Sequence, residues 1–513
     1  MSSILTNTAS MVALQTLRGI NSNLNQVQSE ISTGMKVANA KDSASIWAIS
    51  KVMESDVKGF KGISESLSLG ESTVAVARQA SETVTDLLTD IKSKIVAAQE
   101  QNVDREKIQT DIAALRGQIS SVVSAAQFNG LNLLKGTDDV EVLSSLDRLS
   151  DGSVQAANIT VNRQDLSTDA GVYGTGASLA GNATATSNAG AANGGAGAAF
   201  SNAANTMDVI IGGTVLVGEQ FNLQVGGTTV SYSAAAATTA DVATGLTSAL
   251  NAAGITDITA TITGSTITIA STAKFADVDV NASTTSAAGT FDLNGAGGAP
   301  AAGATASSSI AARASDVAFS TTAGVAEGDG YRVTIGSQNF DYVAGKNETF
   351  EDVARGLKLA IDAAAVSNIS TNVQQDATTG AWSLQVDNDG TALTFSATGA
   401  AGGEATGGLF GLDDIDVTTN EGADAALGNV ETLIDNTIDA AAQFGSAQGR
   451  IEIQRDFIGK LTDSLKAGIG TLVDADMEEA SARLQALQVQ QQLGIQSLSI
   501  ANQSPQSILS LFR

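Results

Sequence analysis

The sequence predicts a mainly α-helical protein: long antiparallel heptad helices form a coiled coil from both chain ends, around an inserted α+β, β-rich variable region of two repeated modules. Three observations carry this. Stepping alternately by three and four residues from Ile46 to Ala98 meets an apolar residue at thirteen of sixteen positions, with only Asp56, Gly70 and Ser81 departing. The same stepping resumes far along the chain, from Leu427 to Leu472. Between these stretches one pattern of strands and a helix occurs twice. A 3.5-residue apolar period held over many heptads specifies a long helix with a narrow seam, and such a seam needs a partner to bury it.

The first forty residues predict a shorter helix. Leu17, Ile20, Leu24, Val27 and Ile31 step by three and four, and Ile4, Met11 and Leu14 extend the apolar side. Arg18 and Glu30 are the only charges before Lys36. A helix so poor in charge implies a partner surface: an ordinary core helix is one reading, and a helix buried in an assembly is the favoured one. Ser32-Thr33-Gly34 breaks the pattern, and Asn39-Ala40-Lys41-Asp42 reads as a turn into the central rod. The rod carries Ile49, Met53, Phe60, Ile63, Leu67, Leu88 and Ile91 in its seam, and at 1.5 Å per residue it would be roughly 80 Å long. After a turn at Gln101-Asn102-Val103-Asp104, the run Ile108, Ile112, Leu115, Ile119, Val122 and Ala126 predicts a third helix. Its short link makes it an antiparallel neighbour of the rod. Asn129-Gly130 supplies the positive-φ residues of a turn, and Leu131 to Leu166 loosens into short β-like pieces around Asp151-Gly152.

Near Ser167 the composition shifts to Gly, Ala, Ser, Thr and Asn as far as Asn205, a stretch read as loop or linker. The repeat follows. Phe221 to Val225, Val230 to Tyr232 and Asp241 to Leu246 correspond to Tyr331 to Ile335, Phe340 to Tyr342 and Asp352 to Leu357. Each copy continues with two more strands, giving modules of strand–strand–helix–strand–strand type. From Ser167 to Asn420 there are 6 basic and 23 acidic residues, so this block holds most of the chain's negative charge. The helical stepping then returns with Ile451, Ile458 and Leu465 in its seam. A last helix carries Leu484, Leu487, Val489, Leu493, Ile495, Leu498 and Ile500 on more than one face. No charge falls between Arg483 and Arg513, and the tail holds Leu509, Leu511 and Phe512.

Composition excludes much chemistry. The chain of 513 residues has 27 Lys plus Arg against 54 Asp plus Glu, a net charge of −27, which opposes nucleic-acid binding. Cysteine and histidine are absent, which removes disulfides, imidazole bases and most zinc or copper sites. No segment reads as a signal peptide or a membrane span, so no membrane insertion is expected. The pairs Asp138-Asp139, Asp413-Asp414 and Glu478-Glu479 read as solvated faces or turns. Asp387-Asn388-Asp389-Gly390 echoes a calcium loop but has Ala397 where the closing glutamate belongs. Asp241 and Asp352 read as helix-start carboxylates. No enzyme, catalytic residue, metal site or cofactor is expected.

At its ends the chain resembles bacterial flagellin. Glu30-Ile31-Ser32-Thr33-Gly34-Met35-Lys36-Val37-Ala38-Asn39-Ala40-Lys41-Asp42 is similar to the family's amino-terminal signature. Gln127-Phe128-Asn129-Gly130-Leu131-Asn132-Leu133-Leu134 is similar to the motif closing its inner domain, and Ala501 to Arg513 to its carboxy-terminal signature. The resemblance implies a secreted structural protein that self-assembles into the extracellular flagellar filament used for swimming motility. It implies a terminal coiled-coil inner-tube domain of residues 1–42 with 474–513, and a helical inner domain of 43–166 with 421–473 that includes a β-hairpin region. Residues 167–420 would be the variable outer insertion, with repeats at about 206–290 and 316–400. Leu17, Ile20, Leu24, Val27, Ile31, Leu484, Leu487, Leu493, Leu498, Leu509, Leu511 and Arg513 would form the assembly interface. The inner-domain seam would comprise Ile49, Met53, Phe60, Ile63, Leu67, Leu88, Ile91, Ile112, Ile119, Ile451, Ile458 and Leu465. Implied partners are copies of itself, the flagellar secretion apparatus, an export chaperone, and filament cap or junction proteins. Many family members carry arginines in a helix segment read by an innate-immunity receptor; Leu87-Leu88-Thr89-Asp90 has none, so weak receptor activation is expected. The alternatives are a hook–filament junction protein with similar arms, or a surface adhesin using the inserted repeats.

Overall fold

The apolar stepping of the amino-terminal arm becomes two helices, α1 (Thr8–Thr33) and α2 (Ala44–Ala98), in the computed structural model. The model describes residues 7–148, 153–192, 197, 199–285, 288–293 and 305–510, with side chains as far as Gln503, Glu421 excepted. Asn7 caps α1, its side-chain oxygen accepting from the Ser10 amide at 3.1 Å, and Gly34 ends the helix at φ +71°. With 55 residues, α2 is about 80 Å long. Its seam is buried at Ile63, Leu67, Val74, Val84, Leu88, Ile91 and Ile95. Two of the three non-apolar seam positions are buried as well, and each has a reason. A Cβ on Gly70 would stand 2.7 Å from Val142 Cγ1, so the strand carrying Val142 can approach only over a bare backbone. The Ser81 hydroxyl donates to the Ala77 carbonyl at 3.0 Å and so satisfies itself within the helix.

Asp104 caps α3 (Arg105–Ala125), which is followed by the hairpin β1 (Gln127–Phe128) and β2 (Leu131–Asn132). Its turn residues Asn129 and Gly130 have φ of +51° and +83°. The paired strands β3 (Val140–Arg148) and β4 (Val154–Val161) come next; the Asp151-Gly152 turn lies outside the described residues.

The Gly- and Ala-rich stretch after Ser167, expected as loop or linker, is largely loop but is packed against the chain instead of hanging free as a linker. It contains β5 (Ala183–Thr186), and the amides of Val172, Gly176 and Leu179 donate to the carbonyls of Glu404, Ala401 and Gly399. The small residues permit this. A Cβ at Gly174 would fall 2.3 Å from the Ala401 oxygen. Low complexity here means backbone packed on backbone.

The next block comprises β6 (Asn205–Gly213), β7 (Gln220–Val225), β8 (Thr228–Ser233), α4 (Thr239–Ala252), β9 (Ile258–Thr263), β10 (Thr266–Ser271), β11 (Val278–Thr284), β12 (Gly289–Leu293) and β13 (Ala306–Ile310). Its antiparallel sheets run β12-β6-β10-β9 and β13-β11-β7-β8, and Val242, Leu246 and Leu250 of α4 share a core with Phe221 and Ile267. A second block follows with β14 (Ser315–Phe319), β15 (Gly330–Ile335), β16 (Gln338–Val343), α5 (Phe350–Ala363), β17 (Ile369–Gln375), β18 (Trp382–Asn388) and β19 (Phe395–Ala400). Its sheets are β17-β18-β14-β5 and β16-β15-β19, packed on Val353, Leu357 and Ile361 of α5. In both blocks a tyrosine ring lies over a helical glycine. A Cβ on Gly245 would be 2.2 Å from the Tyr232 ring, and one on Gly356 would be 2.3 Å from the Tyr342 ring.

The carboxy-terminal arm forms α6 (Asn420–Val473) and α7 (Met477–Ser510). The chain divides into two compact units, one of residues up to Ser72 with Glu141–Val161 and the residues from Ser446 on, the other of Thr73–Val140 and Asn162–Gly445. In the first, Arg455 pairs with Glu71, and the Gln454 side chain donates to the Ser144 carbonyl at 2.9 Å. In the second, the Gln109 side chain donates to the Ile415 carbonyl at 2.8 Å and accepts from the Val417 amide at 3.0 Å. Thr85 and Thr437 join α2 to α6 through their hydroxyls at 3.0 Å.

Gly245→Ala and Gly356→Ala should each lower stability by about 1–3 kcal/mol in urea or thermal unfolding, because overpacking against the ring outweighs the gain in helix propensity. Gly449, which has open space around it in α6, should show the opposite sign: Gly449→Ala should stabilise by about 0.5–1 kcal/mol.

Candidate assembly interface

The two chain ends meet at a backbone clasp. The Val473 carbonyl accepts from the Lys36 amide at 2.7 Å and the Val37 amide at 3.3 Å, and the Ala475 amide donates to the Gly34 carbonyl at 3.0 Å. From there α1 and α7 pack together. Leu24, Val27, Ala480 and Leu487 form a buried cluster, with Ile20, Ile31 and Leu484 half-buried against it. Farther along, small size allows contact: a Cβ on Gly494 would stand 3.0 Å from Leu17 Cδ1. At the far end the Asn7 amide group donates to the Ala501 carbonyl at 2.9 Å, and the Ser10 hydroxyl to Asn502 at 2.7 Å.

This pairing covers only one side of each helix. Met11, Val12, Val489, Leu493, Ile495 and Ile500 remain exposed, Val12 at 63% and Ile500 at 69%. A shallow groove lined by Ala9, Val12, Ala13, Leu493 and Gly494 runs between the helices. Exposed apolar residues on a pair of nearly uncharged helices mark a contact surface.

Of the residues expected at the interface, Leu24, Val27 and Leu487 are therefore buried within the chain, whereas Leu17, Ile20, Ile31, Leu484 and Leu498 are half-buried and Leu493 is exposed. Leu509, Leu511 and Arg513, with Phe512, lie outside the residues described at side-chain level. Among the seam residues, Ile63, Leu67, Leu88, Ile91, Ile112, Ile119, Ile451 and Ile458 are buried. Met53, Phe60 and Leu465 are half-buried, and Ile49 is 53% exposed.

The ionisable clusters lie in the inserted region, and their placement is structural. Arg313, 4% exposed, places Nε 2.8 Å from Asp387 and also pairs with Asp389, which Lys274 joins. The calcium-like tetrapeptide is thus a receptor for an arginine, a long-range pairing with no local sequence signal. Asp241 accepts from the Ala235 and Ala236 amides at 2.8 and 2.9 Å, and Asp352 forms a capping box with Thr349, as helix-start carboxylates do. Glu348 borders a cavity of about 100 Å³ together with Asp352, Arg163 and Asp439, and the Tyr342 hydroxyl lies 3.0 Å from both its carboxylate oxygens. Burial, with the Asp352 charge adding to it, pushes the Glu348 carboxyl up to about 7. Among the described residues no group of three or more Asp or Glu is arranged to hold a metal ion, and no helix is long and apolar enough to cross a membrane.

Residues 4–139 match the bacterial flagellin N-terminal helical region, and residues 427–512 match the bacterial flagellin C-terminal helical region. Over its whole length the chain is 30% identical to flagellin D of Rhizobium meliloti strain 1021, across 520 aligned residues that also span all of that protein. The chain belongs to the bacterial flagellin family. It is a structural subunit that polymerises into the extracellular flagellar filament, the organelle of swimming motility. Flagellin A of Rhizobium meliloti is likewise 30% identical over 517 residues, the full length of both chains. The crystal structure of flagellar hook associated protein-3 from Legionella pneumophila aligns with 82% of this chain and 98% of its own. That alignment has a TM-score of 0.31 at 10% identity, too loose to equate individual elements.

Two outcomes are expected. Leu24→Ala or Leu487→Ala should each cost about 2 kcal/mol, read as faster amide exchange in α1 and α7 together with no change in the inserted blocks. Glu348 holds its proton more tightly when folded than the ordinary 4.5 of an unfolded chain, so its contribution to stability is greatest below about pH 4.5 and falls as pH rises through about 7. Glu348→Gln should therefore raise the unfolding temperature at pH 8, by at most about 3 kcal/mol in stability, and change little at pH 5.

Proposed function

We propose that the filament is held together by apolar burial along α1 and α7, which continue between copies the coiled-coil packing begun within each copy. Residues 1–42 with 474–513 are the inner-tube domain in this scheme, 43–166 with 421–473 pack around it through the heptad seam, and 167–420 face outward. The observation that carries this is the exposed apolar side of the α1–α7 pair, Val12, Leu493 and Ile500 among its residues, on helices nearly free of charge. At about 25 cal/mol per Å², repeated burial of such a surface outweighs isolated polar contacts.

The inserted blocks are, in the same scheme, two copies of one ancestral module. Their common order of strand, strand, helix, strand, strand supports this, as does the tyrosine over a helical glycine in each. The insertion is acidic, with 23 acidic and 6 basic residues, and is suited to a solvated outer layer that keeps neighbouring filaments apart. Export proceeds through the flagellar secretion apparatus with a chaperone on the carboxy-terminal arm, and cap and junction proteins bound the growing filament.

Removing residues 1–33 or 480–513 should leave a folded, soluble monomer that forms no filaments, by electron microscopy after seeding. Filaments of normal appearance from either truncation would refute the scheme.

A further inference from the structure

The lone charges of α1 are a second feature of the assembly surface. Arg18 is exposed, beside Leu17, which faces Gly494 of α7. Within α1 the positions a side chain could reach, three and four residues away, are Leu14, Gln15, Asn21 and Ser22, none of them acidic. On α7 the facing stretch is uncharged, since no charge falls between Arg483 and Arg513. Among the described residues Arg18 makes no ion pair. Glu30 is in the complementary position: its carboxylate accepts from Gln26 at 3.1 Å, and no basic residue lies three or four positions from it. Once copies pack side by side, Arg18 enters an apolar surface, and Glu30 one where the base at the start of α7, Arg483, already faces Glu479; a desolvated charge without a partner is expensive.

Resting on the assembly scheme above, we infer that Arg18 of one copy pairs with Glu30 of a neighbouring copy, and that this pair fixes the register in which the terminal helices associate. The helix geometry suits it. Twelve residues separate the two along α1, so they lie about 18 Å apart along the axis and about 120° apart around it. Each helix thus offers a base on one flank and an acid on another. A contact between two different sites on identical chains is heterologous, and it extends into an open helical array instead of closing as a dimer. The apolar residues supply attraction but tolerate sliding; a charged pair on a helix pair whose only other charges lie in the first turns of α7 discriminates one offset from the others, as buried polar positions do in coiled coils.

The test is the critical concentration for unseeded assembly of full-length chain, with circular dichroism and thermal unfolding confirming an intact fold for each variant. Arg18→Gln should raise it about tenfold, and Arg18→Glu should abolish assembly. The double variant Arg18→Glu, Glu30→Arg should return to within about threefold of the parent, since the pair is restored in reverse. Arg18→Gln assembling like the parent would overturn the inference, as would rescue of Arg18→Glu by Glu478→Arg or Glu479→Arg but not by Glu30→Arg. Either result leaves the filament scheme standing, whereas failure of the unaltered chain to assemble would remove the scheme itself.

Discussion

A helix with one narrow apolar stripe cannot be stable alone, and this chain has five such helices, α1, α2, α3, α6 and α7, with almost no proline to interrupt them. Each stripe must find another. The rod α2 finds partners in α3 and α6, where Ile91, Ile112 and Ile451 are all buried. The charge-poor ends find each other through Leu24, Val27 and Leu487, and still expose apolar residues on their remaining sides. In the proposed assembly scheme, the difference between these two outcomes separates the part of the molecule complete as a monomer from the part completed by neighbours. In that scheme shared burial accounts for both the fold and the polymer.

The inserted region obeys a different logic. Its blocks bury their own cores, with α4 and α5 each covering antiparallel strands. The glycine-over-tyrosine contacts allow these helices to approach the strands closely while the hydroxyls reach carboxylates, Asp241 in one block and Glu348 in the other. The region is also tied to the flanking arm segments, Lys346 pairing with Asp139 and Lys358 reaching Asn429 at 2.8 Å. Its concentration of acidic residues is tolerable only where water can solvate them.

Much of this was legible in the sequence because helices announce themselves by period. The stepping from Ile46 to Ala98 falls within α2 (Ala44–Ala98), and Asn129-Gly130 takes the positive φ values its residues imply. Other features had no local signal. Gly70 looked like a lapse in the seam, yet it is where Val142 passes closest, a contact between residues far apart in sequence terms of element type. The stretch after Ser167 looked like a linker because small residues carry no period, and only the carbonyls of 399–404 reveal it as packed chain. Arg313 with Asp387 and Asp389 was equally hidden, since ion pairing depends on topology and not on spacing. In the charge-poor arms, apolar period marked the helices α1 and α7 but could not say which side of each is used within the chain: Leu487 is buried there and Leu493 is exposed.

The hydrogen bond from Asn7 to the Ala501 carbonyl spans 494 positions of sequence. The inserted blocks close among segments that all lie between residues 167 and 420, whereas the amino-terminal helix has no resting place until the last helix has been made. A chain made amino-end first therefore carries an unsatisfied arm until its last helix is complete. Loss of the last helix would leave Leu24 and Val27 of α1 without the residues they pack against.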